Sequence, residues 1–306
     1  MLRGARPGPS AGLGVLGVRT NSAGTTDGVA RAPEALRRAG IIEALEATAS
    51  VVDHGDVVPP PPSPVRDPVT GVIDPDGLRT MVTEVRERVA EILAEGRFPL
   101  VLGGDCPILL GCLGAFGGPA DRGLLFVDGH EDAYPPELST TGEAADMELG
   151  FALGLVDAPW WPELGTDGSL VSTDRTWLLG PRDRSAIEGY GSRSLVGRVG
   201  IGDAATLRGD PAGVTTAALG SVAGSPWWLH LDLDVLSTDA LPAVDYRQDG
   251  GLSWAELDRV ISTALDAGPV GWDVTIYNPD LDPEGVHAER IVRFVGDAIA
   301  GVRSEG

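Results

Sequence analysis

"LLFVDGHEDAYPP", residues 124–136, is a run of bulky apolar residues that ends abruptly in Asp128, His130 and Asp132, spaced at every second position. The run is apolar nearly throughout, which is the pattern of a strand buried on both faces. In an extended chain, residues two apart face the same side, so these three side chains can converge with Cα atoms roughly 6–7 Å apart. A carboxylate, an imidazole and a second carboxylate form a metal-ligand set of intermediate hardness. The competing reading is a polar loop whose acids cap the next helix.

A second stretch, "WWLHLDLDVLSTD" at 227–239, repeats the design and leads into Asp232 and Asp234. Both acids are expected to point the same way from an otherwise apolar strand. Adjacent buried carboxylates repel one another strongly unless a cation compensates. Two separate strands that each end in same-facing acids favour a metal site over helix caps.

Outward from these two runs, short β-rich segments recur near 13–19, 49–53, 98–102, 123–128, 175–180, 197–201, 227–235 and 270–277. Helical spacing fills the intervals near 32–47, 75–95, 106–116, 143–155, 253–266 and 284–302. The clearest helix is 81–95, with apolar residues at 81, 82, 85, 89, 92 and 93 on one side. Apolar strands alternating with helices predict an α/β domain with a parallel sheet covered on both faces. A single domain over 13–306 is expected, after a flexible start at 1–12. The "PPPPSP" at 59–64 reads as a stiff loop within it. In such sheets ligands bind at the carboxyl ends of the strands.

Composition narrows the function classes. The 306 residues are 42% apolar and carry a formal charge of -22, which disfavours nucleic acid and anionic membrane surfaces as partners. That charge is compatible with metal ions or a cationic substrate. The 23 basic residues are all arginine. Without lysine there is neither a P-loop nor a Schiff-base nucleophile. Two cysteines, Cys106 and Cys112, disfavour a disulfide framework. The start "MLRGARPGPSAG" has no apolar core of a signal peptide, so a cytoplasmic location is expected.

Two further strand ends carry polar residues. In "PLVLGGDCPILLG", 99–111, Gly103 and Gly104 allow a tight turn and Asp105 is placed to cap the next helix. Cys106 would stand at that helix start, where a thiol's pKa is lowered; it reads as a metal ligand or as a small buried residue. Cys112 reads as core. In "GWDVTIYNPDLDP", 271–283, Asn278-Pro279 stops the strand, and Asp280 and Asp282 read as solvated or capping acids. His54, His230 and His287 read as structural or surface histidines.

Taken together, D-G-H-E-D at 128–132, D-L-D at 232–234 and G-G-D-C at 103–106 resemble the motifs of the arginase–agmatinase (ureohydrolase) family. The resemblance extends to the N-terminal stretch 13–41, to "DHGDV" at 53–57 and to "NP" at 278–279. It implies a three-layer α/β/α sandwich with one mostly parallel eight-stranded sheet. It also implies a binuclear manganese site, hydrolysis of a guanidino group to urea and an amine, and a trimer or hexamer. By resemblance, Asp128 and Asp232 would bridge two metals, His130 and Asp234 would complete one site, and Asp132 would belong to the other and orient a bridging hydroxide.

Three positions depart from the family pattern. Cys106 replaces a histidine ligand, so one or two ions are expected. The loop "TTGEAADMELG", 140–150, lacks the proton-shuttling histidine of arginases; Glu143 or Asp146 substitutes for it, or starts a helix. Ile276 falls where the family has a glutamate that grips the guanidinium. The loop "GPRDRSAIEGYG", 180–191, resembles the one that meets the substrate's far end, with Glu188 as a candidate amine contact and Arg182 and Asp183 as structural residues. The leading expectation is a manganese-dependent hydrolase of a guanidino or amidino C–N bond, acting on something other than plain L-arginine. A one-metal amide hydrolase and a non-catalytic relative that binds a metal or small ligand are the alternatives.

Overall fold

A computed structural model describes residues 8–9, 12–156, 158 and 168–302. The expected flexible start, 1–12, falls for the most part outside the described residues. Strands form at Leu13–Val18 (β1), Val51–Val57 (β2), Phe98–Gly103 (β3), Gly123–Val127 (β4), Thr176–Leu179 (β5), Gly200–Gly202 (β6), Trp227–Asp232 (β7) and Gly271–Thr275 (β8). They make one eight-stranded sheet in the order β2-β1-β3-β8-β7-β4-β5-β6. Every neighbouring pair is parallel. All eight strands overlap the runs expected from the sequence, though β2 continues to Val57, past the expected end at 53, and β6 begins only at Gly200 in the run expected from 197.

Helices cover both faces, as fully apolar strands require. One face carries Ala32–Arg38 (α1) and Ile41–Glu46 (α2). Pro75–Ala94 (α3), Ile108–Gly114 (α4) and Glu148–Ala152 (α5) lie on the other. A short helix, Arg184–Gly189 (α6), follows β5. Ala204–Gly209 (α7), Pro211–Val222 (α8), Trp254–Asp266 (α9) and Val286–Gly301 (α10) return to the α1 face. Two apolar cores result, one on each side of the sheet. Leu229, Leu231 and Trp272 belong to the core under α8–α10, and Phe126 and Trp228 to the core under α3–α5. No helix among the described residues is long and apolar enough to cross a membrane.

Several local expectations are corrected. The helix expected over 32–47 breaks at Gly40, whose φ of 89° ends α1 and starts α2. The helices α6, α7 and α8 were not expected. In α8 the sequence PAGVTTAALGSV has small residues on every side, so it shows no amphipathic stripe to read. β7 stops at Asp232 and a 3₁₀ turn follows at Leu233–Val235, so Asp234 lies beyond the strand that was expected to carry it. β4 likewise stops at Val127.

Candidate metal centre

The sheet order places the carboxyl ends of β3, β8, β7 and β4 side by side at its centre. Register aligns them: Val127 pairs with Leu231, and Asp232 with Thr275. The polar residues after four separate strands therefore meet at one level. A close backbone approach helps to assemble them, because a Cβ at Gly104 would lie 2.0 Å from the Thr20 carbonyl oxygen.

The acids converge through turns and not through the strand pleat. Asp128 Oδ1 accepts from His130 N at 2.7 Å, and Asp232 Oδ1 accepts from Asp234 N at 2.6 Å. Such bonds from a carboxylate to the backbone two residues on compete with the strand ladder and end it. Asp132 takes a φ of 38° in the left-handed region. Gly129 N donates to Asp234 Oδ1 at 3.2 Å, tying the two turns together. His130 Nδ1 then stands 3.0 Å from Asp234 Oδ2 and 3.6 Å from Asp128 Oδ1. Asp128, His130 and Asp234 each offer a ligand atom within 4.8 Å of the others'.

Above these side chains is a cavity of about 110 Å³, walled by Asp132, Tyr134, Asp183, Tyr246, Gln248 and Ile276 among others. Ile276 has a φ of 71° and is held by donating its N–H to the Gly104 carbonyl at 2.9 Å. A β-branched residue in that region is strained by about 1–3 kcal/mol.

Negative charge dominates the floor. Asp128, Asp132, Asp232, Asp234 and Glu148 are all buried. Burial, then neighbouring carboxylates, push Asp132, Asp232 and Glu148 well above the usual range. Burial also opposes ionisation of Asp234, but His130 and Arg182 hold its carboxyl below that range. Arg182 is pinned by donating Nη2 to the Asp234 carbonyl at 2.6 Å. Asp128 Oδ2, both Glu148 oxygens and His230 Nε2 are buried without a hydrogen-bond partner. A buried polar atom left unpaired costs roughly 1–3 kcal/mol, more when charged. Carboxylate and imidazole donors with free lone pairs, gathered against mutual repulsion, fit divalent cations.

The expected residues divide into several groups. Asp128, His130, Asp132, Asp232 and Asp234 are brought together, and Cys106 joins them with Sγ 2.9 Å from Asp232 Oδ2. Cys106 precedes α4, and burial followed by Asp232, Glu148 and Asp128 pushes its thiol well up, the reverse of the activation expected at a helix start. Asp105 does not cap α4. Its oxygens accept from Ser22 N at 2.6 Å and Cys106 N at 2.9 Å, which fixes the loop after β1. Cys112 lies in the core, as expected.

The loop and substrate-end residues are placed as follows. Asp146 reaches the cavity wall, with Oδ2 accepting from Ser139 Oγ at 2.5 Å and Thr141 Oγ1 at 2.6 Å. Glu143 accepts from Tyr246 Oη at 2.8 Å. Glu188 is on α6, paired with Arg184 Nε at 3.0 Å, while Ala186 of the same helix lines the cavity. Sequence reading missed Glu148, His230, Tyr134, Tyr246 and Gln248. Glu148 had a signal, as an acid enclosed by Met147, Leu149 and Phe151. The others had none.

The arginase family model matches residues 11–301. An N(omega)-hydroxy-L-arginine amidinohydrolase of Streptomyces lavendulae is 28% identical over 242 residues, covering 78% of this chain and 81% of that protein. Arginase-1 of Homo sapiens is 28% identical over 308 residues, covering 94% and 90%. The crystal structure of arginase from Bacillus cereus superposes with a TM-score of 0.79 at 25% identity, over 96% of this chain and 99% of that one.

Proposed function

Since the chain belongs to the arginase family and is a metal-dependent C–N hydrolase of the ureohydrolase kind, we propose that it hydrolyses a modified guanidino compound to urea and an amine with manganese as cofactor. Asp128, Asp232, Asp234, Asp132 and His130 would hold the metal, with Cys106 beside them. Two manganese ions there would supply the Lewis acidity that makes water nucleophilic near neutral pH.

The observation that carries the substrate reading is Ile276, an apolar residue on the cavity wall where a carboxylate would grip a guanidinium. An apolar wall disfavours a fully charged guanidinium and favours a less basic guanidine, such as an N-hydroxylated or acylated one. The Streptomyces relative named for a hydroxylated arginine is consistent with that preference. Tyr134, Tyr246 and Gln248 place polar groups on the same wall.

Proton handling falls to Glu143. Burial, then Asp105, raise its carboxyl to about 7 against the pull of Tyr246. A group titrating near the working pH suits general acid–base transfer. Tyr246 lines the cavity and donates to Glu143 Oε2, so the pair connects the cavity to the loop. Asp146 positions that loop through the Ser139 and Thr141 hydroxyls. The family resemblance implies a trimer or hexamer as the working form, which light scattering reads directly.

The test is urea release by manganese-loaded protein from L-arginine, agmatine, Nω-hydroxy-L-arginine and N-acyl guanidines. Higher kcat/KM for a modified guanidine than for L-arginine is expected. Urea from none of them, or L-arginine as the best substrate, would overturn the proposal.

A further inference from the structure

Beneath the cavity, on the face covered by α3–α5, lies a second group of donors. Cys106 Sγ, one oxygen each of Asp128 and Glu148, and a ring nitrogen of His230 all lie within 4.8 Å of one another. Asp128, Glu148 and His230 are each 0% exposed, and Cys106 is 1% exposed. Asp128 Oδ2, both oxygens of Glu148 and His230 Nε2 have no hydrogen-bond partner. Glu148 and His230 lie outside the ligand set of Asp128, His130, Asp132, Asp232 and Asp234.

His230 is prepared from behind. Trp228 Nε1 donates to Asp273 Oδ1 at 2.5 Å, and Asp273 Oδ2 faces His230 Nδ1 at 2.5 Å. An indole N–H can only donate, so Asp273 is held as an acceptor and the imidazole proton belongs on Nδ1. The lone pair then lies on Nε2, the atom without a partner. Phe126 stacks on the ring at 4.5 Å between centroids and holds its plane. A carboxylate behind one ring nitrogen, with the other nitrogen free, is how metal-binding histidines are oriented. Glu148 comes from a separate element as the first residue of α5, with an apolar residue on each side.

We propose that Glu148 and His230, with Asp128 and Cys106, hold one of two divalent ions, in place of a histidine at position 106. Asp128 belongs to both donor groups, so it can bridge this ion and the one at His130 and Asp234. The two positions differ in chemistry. A set containing sulfur and nitrogen is softer than one rich in carboxylates and tolerates cobalt or zinc more readily. This inference rests on the metallohydrolase reading above.

The experiment titrates metal-free protein with Mn²⁺ alone, reading ions per chain by elemental analysis and affinity by calorimetry. Two ions per chain are expected for the wild type and one for Glu148→Gln, which keeps the side chain's volume and so keeps the fold. Asp273→Asn would put an N–H against Nδ1 and turn the proton onto Nε2. Since losing an outer-shell partner costs roughly 10–100-fold in affinity, that variant should fall in this range for one ion, and Glu148→Gln beyond it. With Co²⁺, the wild type should show a thiolate-to-metal charge-transfer band that Cys106→Ser lacks. Two ions at unchanged affinity in Glu148→Gln would overturn the inference and leave the hydrolase reading standing. No metal bound to the wild type at all would overturn both.

Discussion

Removing the metal should invert the ordinary dependence of stability on pH. Asp105 and Asp183 are each raised from the ordinary carboxyl value of 3.8 to about 6, chiefly by burial. A carboxyl whose folded value lies above its unfolded value binds more protons when folded. Its contribution is therefore full below the unfolded value and is lost as the pH rises through the folded one. Above pH 5, about one unit of each gap remains, and one unit corresponds to ~1.4 kcal/mol. The two groups together then cost about 3 kcal/mol between pH 5 and pH 8. Glu143, raised to about 7 by burial, and Asp132, Asp232 and Glu148, raised further, deepen the loss within the same window. His130 acts in the same sense, because burial opposes its charge but Asp234 and Asp128 raise it, so its pairing is lost only as pH rises. The carboxyls held low, Asp27, Asp53, Asp67, Asp203 and Asp234, act below their unfolded values and so outside the window.

Since 1 kcal/mol moves Tm by roughly 2–4 °C in large domains, the ~3 kcal/mol from Asp105 and Asp183 alone should make metal-free protein melt about 6–12 °C lower at pH 8 than at pH 5, and the other raised acids should lower it further. Saturating Mn²⁺ should weaken the trend, because the ion competes with protons for the oxygens of Asp132, Asp232 and Glu148, while the share from Asp105 and Asp183 remains. Differential scanning calorimetry in chelator and in Mn²⁺ checks both arms. A metal-free Tm that is flat or rises from pH 5 to pH 8 would refute the claim that these acids are held together uncompensated.

Other perturbations follow from the same geometry. Asp232→Ala removes the acid that holds Asp234 N and faces Cys106 Sγ, so tight metal binding and urea release should both disappear; unchanged metal content would defeat the assignment. Ile276→Glu places a carboxylate on the cavity wall and should raise kcat/KM for L-arginine roughly 10-fold or more, from the ~1.5–3 kcal/mol of a charge-assisted hydrogen bond; steady-state kinetics read this directly. Gly104→Ala drives a Cβ into the Thr20 carbonyl and should cost more than about 4 kcal/mol, seen as lost soluble yield or a collapsed Tm.

Much of this architecture was legible in the sequence. Strand formation reports local apolar runs, and each of the eight runs became a strand of one sheet. The acids that end two of those runs also stood out, since a charge beside consecutive bulky residues is visible without knowing the fold. The mode of their convergence was not legible. Asp128, His130, Asp132 and Asp234 were expected to share the pleat of extended strands, whereas Asx-type turns gather them after the strands have ended. A turn of that kind depends on side-chain hydrogen bonds that periodicity does not encode.

What the chain determined alone was therefore its eight strand runs, most of the helical intervals between them and the acids that end two of those runs. What only tertiary structure decided was which distant residues share that space. His230 looked like a buried strand histidine until the pairing of β7 with β8 set Asp273 behind it. Glu148 looked like a helix acid until α5 turned it toward Asp128 and Cys106. Burial and propensity are properties of a residue and its near neighbours, but a ligand set is a coincidence in space, and strand order sets that coincidence.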